Sequence, residues 1–431
     1  MRDLNEGILE AINKYKDCIG FVYNGLEKTY QQLYIDSSKI YKHMRKGKTL
    51  IKCQNKYYFL ASFVAALFHH NMPFLSNFES HVYDDYQFAD VVDDNFVENA
   101  LADEEYNLYQ YEEFDNNIPA MVVLSSGTTK EPKPVVISHK AIVNNIRAIM
   151  KISNSKINWT YLSILPLDHA MGIRGDFIDA ILYGGKIVYT NSLMDFFLNI
   201  KKYNPERLTL SVSLLNNLKE ILKSEGKANF CPNLLYITVG GSKIHEEDYN
   251  YYRDNFGIYL VNGYGLTECT PTISLNTPKF HMFGSEGYIL DCHKIRISDE
   301  GEIIVSGDSL MLNYLDLYEK GILCDEIHTK DCGYIKDNFL FIIGRIDNLI
   351  VLDNGYKIQP EKLEEEIMTK YQVKDCVLYY KNKQLYLDIV ADVDKLNQIK
   401  KEYEKLYIEY HLVDHIEKNR LGKINRAYYK G

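Results

Sequence analysis

The stretch Leu124-Ser125-Ser126-Gly127-Thr128-Thr129-Lys130-Glu131-Pro132-Lys133-Pro134-Val135 constrains this chain more than any other. An apolar run at residues 120–124 precedes it and a second at 135–137 follows it, so two buried strands flank a short polar segment. Between them lie five small residues, Ser125, Ser126, Gly127, Thr128 and Thr129, four of them hydroxylated. Such a segment bends tightly around an anion and offers it backbone N–H groups and hydroxyls. Lys130 and Lys133 add positive charge. The whole reads as a phosphate loop on a β-hairpin, or as an ordinary polar turn of the same composition. It is not the G-x-x-x-x-G-K-[ST] type, which is absent.

The surrounding chain alternates strand and helix. Residues 50–53, 57–68 and 73–75 read as strand, apolar helix and strand. After the loop come a helix at 139–150, a helix at 176–182, a strand at 186–189, a helix at 214–222 and a strand at 235–239. That rhythm favours a parallel sheet and an α/β fold. Residues 1–50 read as largely helical, interrupted by a strand at 19–23, with Thr29 an N-cap for a helix. Residues 79–117 are acidic and aromatic without a motif, and 284–315 carry short strands with Gly turns, a small β-rich subdomain. The C-terminal end repeats a small α/β pattern.

Bulk properties exclude several classes. The 431 residues suit two or three domains. A net charge of −10 with no long basic block argues against a nucleic-acid partner. The longest apolar run, 57–68, is too short to span a bilayer, and the N-terminus lacks a signal-like apolar run. Eight cysteines are scattered singly with no C-x-x-C pair, which fits neither a disulfide framework nor a zinc site and suggests a reducing cytoplasm.

Further segments bear chemistry. Pro166-Leu167-Asp168-His169-Ala170-Met171-Gly172 ends a strand at a histidine, either a site residue or a packed ring. Gly240-Gly241-Ser242 closes another strand, where glycines allow a ligand close to backbone or simply make a tight turn. Asn262-Gly263-Tyr264-Gly265-Leu266-Thr267-Glu268 offers an aromatic face, a hydroxyl and a carboxylate in seven residues. Later come Thr329-Lys330-Asp331, Gly344-Arg345-Ile346-Asp347, the loop from Gly355 into a Glu-rich helix start, and Gly422-Lys423 with Arg426.

In this order the segments resemble the acyl-adenylate-forming superfamily of acyl- and aryl-CoA synthetases, luciferases and peptide-synthetase adenylation domains, over residues 27–426. Departures are Lys130, Pro134 and Lys330 at usual glycine positions, and Glu417 and Asn419 in place of Pro and Thr near the end. The resemblance implies a large N-terminal adenylate-forming domain, residues 1–346, of layered β-α subdomains plus a small β-barrel. A small mobile C-terminal α/β domain, 347–431, follows, with its hinge at Asp347.

Carried over residue by residue, Ser125, Ser126, Gly127, Thr128, Thr129 and Lys133 hold phosphate, and Gly241, Ser242, Asn262, Gly263, Tyr264 and Gly265 flank the adenine and acyl group. Tyr264 stacks on adenine, Thr267 reaches the α-phosphate, and Glu268 holds Mg2+, a hard cation suited to carboxylate oxygen. Asp331 accepts from the ribose hydroxyls, Arg345 contacts ribose or phosphate, His169 borders the carboxylate pocket, and Lys423 enters for catalysis. The implied activity is ATP-dependent formation of an acyl-adenylate from a fatty or aryl carboxylic acid, with pyrophosphate released. The acyl group then passes to CoA or to the phosphopantetheine of a separate carrier protein. Ala170 and Met171 provide no partner for an ammonium, which would be costly to bury alone, so an α-amino acid substrate is disfavoured. An amino-acid adenylating enzyme and a non-catalytic nucleotide-binding homologue remain as alternatives.

Overall fold

The computed structural model describes every residue except 126–131, 154–157, 241–243, 245, 353–354, 419–423 and 431, and omits the side chains of Val212, Ser213, Ala427 and Lys430. The chain gathers into two compact units, one of residues 1–294 and 306–327, the other of 295–305 and 328–431.

The first unit is built on two sheets. In one, the strands Lys48–Ile51, Met72–Leu75, Asp90–Val92 and Pro119–Leu124 pair in parallel. Pro134–Ser138 and Asn313–Tyr314 extend that sheet antiparallel. The other runs in parallel from Ile19–Tyr23 through Lys186–Tyr189, Thr160–Ser163, Arg207–Leu210 and Tyr236–Val239 to Tyr259–Gly265. The β-α-β alternation therefore becomes parallel sheet, as its apolar runs require for strands covered on both faces. The helix Lys56–Phe68 is buried from Phe59 to Phe68. It is apolar around its whole circumference, as a core helix must be.

Local sequence sets the element ends. Thr29 caps the helix Tyr30–His43 in a reciprocal box with Gln32. The residues just before it, Leu26–Thr29, form a strand against Ile19–Tyr23 rather than the start of the helix. Residues 79–117, which carry no sequence motif, supply packing. Tyr83 is buried edge-on to Phe74 at 5.3 Å, and Tyr109 stacks on Phe68 at 4.2 Å. A regular helix at 176–182 is replaced by a π-helical segment, Met171–Ile178, continuing into Asp179–Leu182. Gly172 there presses on the preceding turn, since a Cβ would lie 2.0 Å from the Pro166 carbonyl oxygen. Wide turns of this kind are rare and frequent at functional sites.

The second unit contains the antiparallel pairing of Glu326–Lys336 with Phe339–Arg345. It also holds a three-stranded sheet of Asp375–Lys381, Gln384–Val390 and Ile408–Leu412. Ile367, Cys376, Leu378, Leu387 and Ile399 form its core beneath the helices Pro360–Tyr371 and Val393–Glu402. Gln359 donates from Nε2 to the Arg345 carbonyl at 3.0 Å, and Asn348 donates to Glu361 at 2.5 Å. These bonds tie the end of the hairpin to the helix Pro360–Tyr371 within this unit. Among the described residues no helix is long and apolar enough to cross a membrane.

Candidate active site

The hairpin expected around the polar loop is present at both of its legs. Leu124 pairs with Pro134 and Val123 with Val135. Ser125 closes the loop twice: its N–H donates to the Lys133 carbonyl at 2.9 Å, and its hydroxyl accepts from the Lys133 N–H at 3.0 Å. Ser126, Gly127, Thr128 and Thr129 lie outside the described residues.

The Tyr264 segment sits on the Tyr259–Gly265 strand, and its glycines are dictated by neighbouring backbone. A Cβ at Gly263 would lie 2.5 Å from the Ser274 carbonyl oxygen, and one at Gly265 only 1.9 Å from that of Pro271. Tyr264 pairs across from Ser274 and is partly exposed. Asn262 is buried, with its side-chain oxygen accepting from Asn276 Nδ2 at 3.1 Å. Thr267 and Glu268 follow on a short 3-10 turn and stay partly exposed.

Glu268 brings in a residue that sequence reasoning missed. Tyr314 donates its phenol to Glu268 Oε1 at 2.9 Å, and the Lys133 ammonium lies 4.9 Å from the centre of the Tyr314 ring. Burial and the adjacent Glu268 carboxylate push the Tyr314 phenol up, so it remains a donor at neutral pH. Lys133, a tyrosine 46 residues beyond Glu268, and the carboxylate thus form one chain of contacts. One carboxylate held in orientation suits Mg2+, which takes few protein ligands and completes its shell with phosphate and water oxygens.

His169 is exposed rather than packed in the core. Its carbonyl accepts from the Ile173 N–H at 3.1 Å, leading directly into the π-helical segment. That segment is pinned from below by Asp176, which accepts from Ser163 at 2.5 Å and from Thr209 at 2.7 Å, both on neighbouring strands. Met171 lies over Gly240, where a Cβ would meet the Met171 Cε at 2.5 Å. The histidine segment and the strand-end glycine are therefore adjacent. Gly241 and Ser242 lie outside the described residues. Ala170 is buried and apolar.

In the second unit, hairpin register sets Asp331 directly across from Arg345, and their side chains meet at 3.5 Å. Arg345 also reaches Asp347 at 3.6 Å, as does Lys330. Lys330 has φ +61°, the left-handed conformation that suits glycine, which is the residue the resembling sequences place there. Lys423 lies outside the described residues.

Comparison with known proteins identifies the family. Residues 77–315 match the family profile "AMP-binding enzyme", more than half of the chain. A 2-succinylbenzoate–CoA ligase from Haemophilus influenzae is 29% identical over 281 residues, covering 64% of this chain and 59% of that protein. The match thus spans about three fifths of that curated relative. The fold is that of the O-succinylbenzoate coenzyme A synthetase from Bacillus subtilis in complex with the acyl-adenylate intermediate OSB-AMP. Here the TM-score is 0.80 at 20% identity, covering 99% of this chain and 98% of that one. ATP-bound MatB from Rhodopseudomonas palustris shares the fold equally, with a TM-score of 0.83 at 15% identity over 99% and 98% of the two chains. The chain belongs to the AMP-binding enzyme family.

Proposed function

We propose that this protein uses ATP to activate a fatty or aryl carboxylic acid as its acyl-adenylate, with pyrophosphate released, and then transfers the acyl group to the thiol of CoA. The observation that carries this reading is the contact chain Lys133–Tyr314–Glu268, because it gathers a cation and an oriented carboxylate beside the Tyr264 strand. The activities for which relatives are named, 2-succinylbenzoate–CoA and 4-coumarate–CoA ligation, support the same chemistry.

A carboxylate has a poor leaving group, and attaching AMP repairs this. Its oxygen attacks the α-phosphorus, and pyrophosphate departs. Two anions approach one another, so the site needs donors and cations aimed at the α-phosphate. Ser125 to Thr129 and Lys133 would cradle phosphate, and Thr267 would donate to the α-phosphate. Tyr264, flanked by Gly263, Gly265 and Asn262, would face adenine. Asp331 and Arg345 would hold the ribose side, and Gly241 and Ser242 would border the acyl group. Mg2+ at Glu268 would neutralise phosphate charge. The Tyr314 phenol fixes which oxygen of Glu268 faces away from it. His169 would close the carboxylate pocket.

The small domain, from a pivot at Asp347, would bring Lys423 in for adenylation and withdraw it for the thiol step. Eight free thiols suit a reducing cytoplasm. Acid-dependent ATP–pyrophosphate exchange over a panel of fatty, aryl and short branched acids tests the reading. Exchange with at least one acid supports it, and ATP binding without exchange for any acid refutes it. Comparing CoA with a phosphopantetheinylated carrier protein as acceptor identifies the thiol.

A further inference from the structure

The C-terminal residues carry a buried ion pair that the reaction scheme above leaves unused. Glu364, on the helix Pro360–Tyr371, is 3% exposed. Its Oε1 accepts from Arg426 Nη1 at 3.1 Å and from the Leu378 N–H at 2.7 Å, while Oε2 accepts from Arg426 Nη2 at 2.6 Å. This is the two-pronged guanidinium–carboxylate geometry, which fixes orientation as well as distance. Arg426 also approaches Glu361 at 3.4 Å and donates to the Leu378 carbonyl at 3.4 Å.

Arg426 stands three residues after Lys423. Lys418 and Ile424, which flank residues 419–423, are joined by an antiparallel bridge. The Asn425 N–H donates to the Glu417 carbonyl at 2.8 Å, and the Glu417 N–H to the Tyr429 phenol at 2.9 Å. Lys418 is anchored in turn on Asp375 at 2.5 Å. A cavity of about 200 Å³, bordered by Asp347, Pro360, Leu378, Tyr379, Arg426 and Tyr429, lies beside the pair. A shorter side chain at 426 would therefore leave the base of the segment room to drift. Burial pushes the Glu364 carboxyl up and Arg426 pulls it back, so without Arg426 the carboxyl neutralises rather than remaining a lone buried charge.

We infer that Arg426 is a positioning residue for adenylation: clamped on Glu364, it fixes the base of the segment that carries Lys423. This rests on the reading that Lys423 serves the first half-reaction.

Arg426→Lys keeps the charge but cannot make the paired contact, and Arg426→Met removes both. Each is measured for acid-dependent pyrophosphate exchange and, separately, for thioester formation from chemically prepared acyl-AMP. A displacement of about 1 Å costs on the order of 10²-fold in rate. Exchange should therefore fall by about 10- to 100-fold in kcat at unchanged ATP KM, with thioester formation retained and Arg426→Lys the milder variant. Added to Lys423→Ala, either substitution should cause no further loss of exchange. Equal impairment of both half-reactions, or additive loss in the double variant, overturns the inference. If Lys423→Ala alone leaves exchange intact, the underlying reading fails. If Lys423→Ala abolishes exchange while Arg426→Lys and Arg426→Met do not lower it, only this inference fails.

Discussion

The two compact units hold their functional groups by different means. In the first, backbone does the holding. Gly263 and Gly265 press against the carbonyls of Ser274 and Pro271, and Ser125 locks the loop ends through main-chain bonds to Lys133. Two buried histidines there, His139 and His293, stay neutral. His139 is fully buried against Phe114, and burial pushes its ring down to about 3. In the second unit, charge pairs hold the groups proposed for function. Asp331 meets Arg345, Arg345 and Lys330 meet Asp347, and Arg426 clamps Glu364. Interlocked backbone cannot be rearranged without unfolding a strand, whereas charge pairs can part and re-form. The unit with the proposed hinge residue is the one built on pairs.

The largest expected effect separates the two half-reactions. Lys423→Ala should cut pyrophosphate exchange by about 10²–10³, the usual loss on removing one preorganised group, while thioester formation from supplied acyl-AMP stays near normal. Asp347→Pro should do the reverse, since proline fixes φ at the hinge. Equal loss in both steps for Lys423→Ala would refute the proposed two-orientation cycle.

Asp331→Ala comes next. Losing its charge-assisted contacts should cost about 1.5–3 kcal/mol of ATP binding, with acid KM little changed. Titrating ATP against the folded variant checks this, and an unaltered ATP dependence removes Asp331 from the site.

Acid should weaken the first unit through its buried histidines. Their folded values lie below the unfolded one, so nothing is lost above about pH 6.5 and stability falls as the unfolded chain takes up protons below it. At pH 5 His139 alone contributes a loss of about 2 kcal/mol. Trp159, the single tryptophan, is buried in this unit and reports its urea unfolding directly. His139→Leu should flatten the difference between pH 7 and pH 5, and an unchanged slope would contradict the assignment.

The smallest effect is at Lys330. Its left-handed backbone should make Lys330→Gly stabilising by up to about 1 kcal/mol, because the half-exposed pair with Asp347 is worth little. A lowered melting midpoint would mean that the pair outweighs the strain.

Much of this was legible in the chain because short-range physics wrote it. The apolar runs around Ser125, the Thr29 cap and the glycines beside Tyr264 each reflect local requirements of strand, helix end and close backbone. Tyr314 was not legible: it meets Glu268 across 46 residues, and no spacing marks it. Nor was the packing of Tyr83 and Tyr109, which meet Phe74 and Phe68 from a stretch that carries no motif. The π-helical segment was not legible either: in Met171–Ile178, Gly172 packs against the Pro166 carbonyl, a contact no spacing marks. Of the site itself, the residue types were readable, but the Lys133–Tyr314–Glu268 contact chain and the facing of Asp331 and Arg345 were products of the fold.

The most direct test of the account is a reaction with ATP, Mg2+ and acid but no thiol, with products resolved by mass spectrometry. The account predicts acyl-AMP and pyrophosphate in equal amounts, close to one per enzyme, formed only when a suitable acid is present, and conversion of that acyl-AMP to acyl-CoA once CoA is added. Release of ADP with an acyl phosphate, or bound ATP left intact with every acid in the panel, would contradict it.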